Sequence, residues 1–140
     1  MSLVMTKAER ESFLADLHVG VVSIEDPGRG PLTAPIWYAY EPGGEVTMLI
    51  GPRSRKAKLL EKATRASLVA QTETAPYKYV SVEGPVSISP KPPEGATKAM
   101  AIRYLGPEMG ARYAAGGDGE SLWVTLTPER WLTTDYGKRG

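Results

Sequence analysis

The stretch Leu32-Thr33-Ala34-Pro35-Ile36-Trp37-Tyr38-Ala39-Tyr40, the group Pro42-Gly43-Gly44 and the run Val46-Thr47-Met48-Leu49-Ile50 lead directly into Gly51-Pro52-Arg53-Ser54-Arg55-Lys56-Ala57-Lys58. The two flanking runs are rich in β-branched and aromatic side chains, and the Pro-Gly-Gly group between them supplies turn chemistry. Residues 32–40 and 46–50 therefore predict an antiparallel hairpin. Pro35 donates no backbone hydrogen bond, which puts the first strand of that hairpin at an edge or a bulge. Past Gly51-Pro52 the period changes from two to helical. Ser54 reads as an N-cap, and Ala57, Leu59, Leu60 and Ala63 can pack on one side of a short basic helix.

Working outward, Thr6 and Glu9 have the spacing of a capping box, in which hydroxyl and carboxylate satisfy orphan amides. Phe13, Leu14 and Leu17 make the apolar stripe of a first helix expected to end near His18 to Gly20. Residues 19–24 read as a strand and Asp26-Pro27-Gly28 as a turn. Downstream, 66–71 and 77–88 read as strands, the second long enough to bend at Gly84-Pro85 and serve both a wall and a corner. Residues 90–93 form a proline spacer, 96–105 and 108–115 are helical pieces broken at Gly106-Pro107, and 116–119 is a glycine-rich loop. Strands at 122–126 and 131–134 complete a mainly β architecture, an antiparallel barrel of six or seven strands with a few short helices.

Composition bounds the chemistry. A chain of 140 residues with 41% hydrophobic residues fits one domain over 1–140, and such a domain buries roughly 68–70% of its unfolded surface without a covalent staple. Cysteine is absent, which excludes thiol catalysis, disulfides, thiolate zinc sites and iron–sulfur clusters, and suits a reducing cytoplasm. Neither the basic start nor any later stretch reads as a signal peptide or a membrane span. A formal net charge of +1 leaves no overall field for nucleic acid or membrane, so only local patches carry such roles.

A Walker A loop is missing, and Gly28-x-Gly30 runs into Pro31 and a strand, so the dinucleotide fingerprint fails on context. The single His18 has no acid or nucleophile beside it and reads as a helix-end cap. No Asp/Glu spacing makes a metal site, and none is expected. The informative segment is Arg53 to Lys58, where four cations crowd the start of a helix that already carries about half a positive charge. Each misplaced cation costs on the order of 0.3–1 kcal/mol, and a phosphate accepting the free amides and the Arg55 fork reverses that sign. Solvated surface cations are the alternative. In Tyr77-Lys78-Tyr79-Val80-Ser81, alternation puts Tyr77, Tyr79 and Ser81 on one face, suited to a planar ring or to plain packing. Trp37, Trp123 and Trp131 carry the same ambiguity between a ligand role and filling a small barrel.

The ordered set of hairpin, Gly51-Pro52-Arg53-Ser54-Arg55-Lys56-Ala57 and then Tyr79-Val80-Ser81-Val82-Glu83-Gly84 resembles the pyridoxamine 5′-phosphate oxidase-like family of split β-barrel flavoproteins. The resemblance is strongest over 19–88. It implies that Arg55 and Lys56 clamp a cofactor phosphate with Ser54 as the cap. It further implies that Leu32, Thr33, Ala34, Pro35, Ile36 and Trp37 line the ring and ribityl chain, with Ile50 and Gly51 beside them. Tyr79 falls where the oxidase has a glutamine touching the flavin. No counterpart of the oxidase's substrate-phosphate region follows, so the resemblance points to another substrate than vitamin B6.

The implied function is a flavin-dependent oxidoreductase, with FMN as cofactor or the deazaflavin F420 as the alternative, moving hydride to or from a small organic substrate. The implied assembly is a homodimer with the cofactor in a groove between subunits. The cofactor carries the hydride chemistry and the protein supplies orientation and electrostatics. Tyr38, Lys78 and Tyr79 are the titratable side chains nearest the implied ring, and no spacing rule selects a proton donor among them. Two other readings use the same residues: a non-catalytic carrier or sensor of the cofactor, and a single-strand nucleic-acid module built on Arg53 to Lys62 and the Tyr77/Tyr79 face. The near-neutral charge stands against the second.

Overall fold

The computed structural model describes residues 2–116 and 120–139; residues 117–119 of the expected glycine-rich loop lie outside them. The elements are α1 (Lys7–Ala15), β1 (Gly20–Ile24), β2 (Leu32–Ile36), β3 (Tyr38–Ala39), β4 (Val46–Ile50), α2 (Arg55–Lys62), β5 (Arg65–Gln71), β6 (Lys78–Ser89), α3 (Ala96–Leu105), α4 (Pro107–Ala115), β7 (Leu122–Leu126) and β8 (Arg130–Asp135), followed by a 3-10 turn at Tyr136–Lys138. All strand pairings are antiparallel, in the order β2-β1-β5-β6-β7-β4-β3 with β8 also on β6.

The expected strand over 32–40 is two strands. Its first part pairs with β1, its second with β4, and the change of partner falls at Trp37. β2 and β3 occupy the two ends of the strand order, so a single linking residue joins opposite edges of the sheet and makes it curl on itself. That break raises the strand count among the described residues to eight.

The long strand β6 does the complementary job. Its first part pairs with β5 and β8, and Val86–Ser89 pairs with β7. The bend falls at Gly84-Pro85, where the β7–β8 connection crosses. Thr127 N–H donates to the Pro85 carbonyl and Glu129 N–H to the Glu83 carbonyl, each at 2.9 Å. A Cβ added to Gly84 would lie 1.7 Å from the Thr127 carbonyl oxygen, so only glycine admits that crossing.

Alternate residues of each strand face inward. Val22, Ile24, Tyr38, Val46, Met48, Ile50, Leu68, Val80, Val82, Val124 and Leu126 are buried, with Phe13 and Leu14 of α1 and Ala57 and Leu60 of α2 packed among them. Tyr38 and Tyr40 are the buried aromatics of the barrel, whereas all three tryptophans remain half-buried. Trp131 packs against this core from its rim.

The capping box of α1 is present on both sides: Glu9 N–H donates to Thr6 Oγ1 at 3.2 Å, and Thr6 N–H to Glu9 Oε1 at 2.8 Å. The helix stops at Ala15, earlier than the apolar stripe predicts, and Leu17 is exposed. A guanidinium from α3 explains the early stop, because Arg103 Nη2 donates to the carbonyls of Ala15 and Asp16. This cation satisfies the helix end from outside.

Candidate functional site

The start of α2 is built by contiguous residues. Ser54 Oγ accepts from Ala57 N–H at 3.1 Å and donates to the Gly51 carbonyl at 2.8 Å, so the hydroxyl is committed to shaping the turn. The N–H groups of Arg55 and Lys56 meet no protein acceptor among the described residues. No acidic residue lies in the first turn of the helix. An anion resting on this turn would meet two free amides and the positive end of a helix dipole.

Arg55 does not stand alone there. Its Nη2 donates to Asp26 Oδ2 at 2.7 Å; the carboxylate side chain is 10% exposed and the guanidinium 52%. Asp26 sits in the β1–β2 turn, closed by Arg29 N–H donating to the Asp26 carbonyl. Sequence reading assigned Asp26 only to that turn. It missed that the same residue aims Arg55 and offsets part of the cation crowding. Nothing local signals this, since the partners lie 29 residues apart. The other guanidinium N–H groups of Arg55 have no protein acceptor among the described residues.

β2 is an edge strand, as Pro35 requires. Its six expected ligand residues do not share one face. Leu32, Ala34 and Ile36 are in register with Ile24, Val22 and Gly20 on one face, Ile36 buried and the other two half-buried. Thr33 and Pro35 are exposed on the outer face. Trp37, Ile50 and Gly51 come together in the wall of a cavity of about 220 Å³ that residues of α3 and α4 complete. Sequence reading did not connect those helices with the site.

Tyr79 is not brought to this group within one chain. It lies on the outer face of β6 opposite Gln71 and Thr134, three strands from β2, or about 14 Å at the usual strand spacing. Tyr38, one of the titratable side chains considered for proton transfer, faces the core and is fully buried. Its hydroxyl donates to the Leu14 carbonyl at 2.7 Å, and burial pushes the phenol well above the ordinary tyrosine range. A phenol held that way cannot exchange protons with a ligand outside the barrel. His18 keeps the helix-end role expected of it, its Nε2 donating to the Phe13 carbonyl and its ring stacked on Phe13 at 4.4 Å.

No family model matches the chain, and no curated protein does. Solved structures do. The conserved hypothetical protein Rv2991 from Mycobacterium tuberculosis superposes with a TM-score of 0.82 at 25% identity, over 99% of this chain and 90% of its own. An F420 reductase matches with a TM-score of 0.70 at 20% identity, over 87% of this chain and 94% of its own. A Listeria innocua protein named for pyridoxamine 5′-phosphate oxidase matches with a TM-score of 0.70 at 11% identity, over 91% and 96%. The chain has the split-barrel fold that these proteins share.

Proposed function

We infer that the chain binds a flavin-type cofactor carrying a phosphate, FMN in the first instance with deazaflavin F420 as the alternative, and uses it as an oxidoreductase on a small organic substrate. The observation that carries this reading is the start of α2: two unpartnered amides and a half-exposed arginine fork on a positively charged helix end. The residues fit the group, because a phosphate there satisfies donors that the fold leaves open. The fold shared with an F420 reductase supports the cofactor class.

In this reading Arg55 and Lys56 hold the phosphate, Ser54 keeps the helix start in shape, and Asp26 positions Arg55. Thr33, Pro35 and Trp37 flank the ring, the backbone of Leu32, Ala34 and Ile36 runs along it, and Ile50 and Gly51 close the side nearest the helix. The bound cofactor supplies hydride transfer. Tyr79 is the remaining side-chain candidate for proton delivery, because Lys78 faces the other side of β6 and lines a groove beside α1.

A homodimer completes the site. One row of outward side chains crosses five strands in register, Pro35, Val21, Val69, Ser81 and Leu132, and Leu132 is 64% exposed. A second copy covering this largely apolar row removes it from water and delivers its own Tyr79 to the β2 edge of the first. Such an interface buries at least about 1,600 Å². Sedimentation equilibrium with saturating cofactor is expected to return a dimer, and a monomer at micromolar concentration overturns the shared site.

The clamp is tested by Arg55→Glu, which turns a charge-assisted contact into a repulsion. Titration is expected to show a loss of about 2 kcal/mol or more for FMN or F420, and almost none for phosphate-free riboflavin. Equal losses for all three ligands overturn the assignment.

A further inference from the structure

The geometry points to the cavity between the α3–α4 pair and the β3–β4 hairpin as a binding site for an uncharged, ring-containing organic molecule, the substrate of the oxidoreductase proposed above and therefore resting on that reading for its role. Its walls are Trp37, Leu49, Met100 and Tyr113, with the hydroxyls of Thr97 and Ser121 as polar points. No lysine, arginine, histidine, aspartate or glutamate lines it among the described residues. A charged ligand entering would lose its water without gaining a counter-ion, which is costly, whereas a neutral ring meets the apolar side chains, and its polar substituents meet the hydroxyls and other polar groups that make up about half of the lining.

Size narrows the class. About 220 Å³ exceeds the ~150 Å³ that admits benzene. It falls below the ~300 Å³ at which sites for drug-sized ligands begin. One substituted ring or two fused rings fit. A tricyclic ring with its ribityl chain is larger than this space and would reach beyond it, towards the β2 edge.

The aromatic wall is set before any ligand arrives. Trp37 stacks on Tyr104 with centroids 4.9 Å apart and planes 6° from parallel. The Tyr104 hydroxyl accepts from Tyr38 N–H and donates to the His18 carbonyl, while Arg103 Nε donates to the Tyr38 carbonyl. The indole is thus clamped from behind by α3, and Tyr113 stands 5.9 Å from it at 50°. A ligand ring then binds against an indole whose ordering is already complete. Gly51 ties the cavity to the start of α2, since it lines the cavity and its carbonyl accepts from Ser54. A ring held there adjoins the proposed cofactor.

Calorimetric titration of the cofactor-free protein with 2-naphthol and with 2-naphthoate, equal in ring size and different in charge, tests the site. The neutral probe is expected to bind at least tenfold tighter. Thr97→Phe and, separately, Ser121→Phe place a ring in the cavity and are expected to weaken 2-naphthol at least tenfold while FMN affinity stays within twofold. Equal affinity for the two probes, or 2-naphthol binding untouched in both variants where circular dichroism shows them folded, overturns the proposal. Parallel loss of FMN and 2-naphthol gives the cavity to the cofactor ring and overturns it as well, leaving the Arg55 clamp standing. If instead Arg55→Glu spares FMN and the cavity results hold, the clamp fails and the neutral-ring site survives.

Discussion

The start of α2 and the cavity under α3 and α4 share Gly51, yet they are assembled in opposite ways. The first is made by residues 51–57 in one continuous turn, with a hydroxyl cap and two open amides that follow from local spacing. The second draws on Trp37 between β2 and β3, on β4, two helices and Ser121, and its key ring is held by Tyr104 from a helix far along the chain. One region is suited to an anion and the other to a neutral ring. The difference shows that the turn with its open amides is written into a short segment, with Asp26 as the contribution from a distance, whereas the cavity is a property of packing.

Substitutions can separate the two regions or remove both. The largest effect is expected from Gly84→Ala, because the added Cβ would lie 1.7 Å from the Thr127 carbonyl oxygen and meets backbone that has no cheap way to shift. The gain from replacing a strand glycine is about 0.5–1 kcal/mol. The clash exceeds it, and a net loss of about 3 kcal/mol or more is expected in urea unfolding, with both sites lost together.

Gly110→Ala sharpens the comparison by striking one region. Its Cβ would lie 2.5 Å from Ile102 Cα, where α4 crosses α3. Helix propensity returns about 1 kcal/mol against a packing cost of about 3, so a net loss of about 2 kcal/mol is expected. 2-Naphthol binding should fall while FMN binding persists. If both fall together, the two regions are not independent.

Ser54→Ala tests the other side. Loss of the cap is expected to cost about 1 kcal/mol in denaturant unfolding, and to weaken FMN through a loosened helix start while leaving 2-naphthol unchanged.

The smallest effect belongs to α1, outside both regions. The Lys138 ammonium hydrogen-bonds the Glu9 carboxylate, Thr6 N–H adds a second bond, and together they bring Glu9 from its ordinary value of 4.5 down to about 2. A carboxyl depressed in the folded state contributes stability that is present above about pH 4.5 and is lost as pH falls toward 2. The side chain is exposed, so the effect on unfolding is slight. Following Glu9 by NMR, Lys138→Ala should move its midpoint upward while ligand binding at neutral pH stays unchanged.

Residues near each other in the chain declared themselves. The Thr6/Glu9 capping box, the Ser54 cap, the Pro42-Gly43-Gly44 turn, the bend at Gly84-Pro85 and the break at Gly106-Pro107 were all legible, because caps, turns and breaks depend on hydrogen bonds and dihedrals within a few residues. Pro35 called for an edge or a bulge, and β2 is an edge.

What only the tertiary structure decided concerns partners brought from a distance. Trp37 interrupts an otherwise continuous strand pattern because each half finds a different neighbour, and β propensity does not encode which neighbour is near. Arg103 ends α1 from 88 residues away. Asp26 reaches Arg55, Tyr38 turns its hydroxyl into the core, and α3 sets Trp37 against a cavity. The sequence by itself determined which segments bend, cap and alternate, since those choices are settled by short-range sterics and hydrogen bonding. Which of the exposed polar and aromatic groups meet was left to the closing of the sheet, since burial rewards contact in space whatever the distance along the chain.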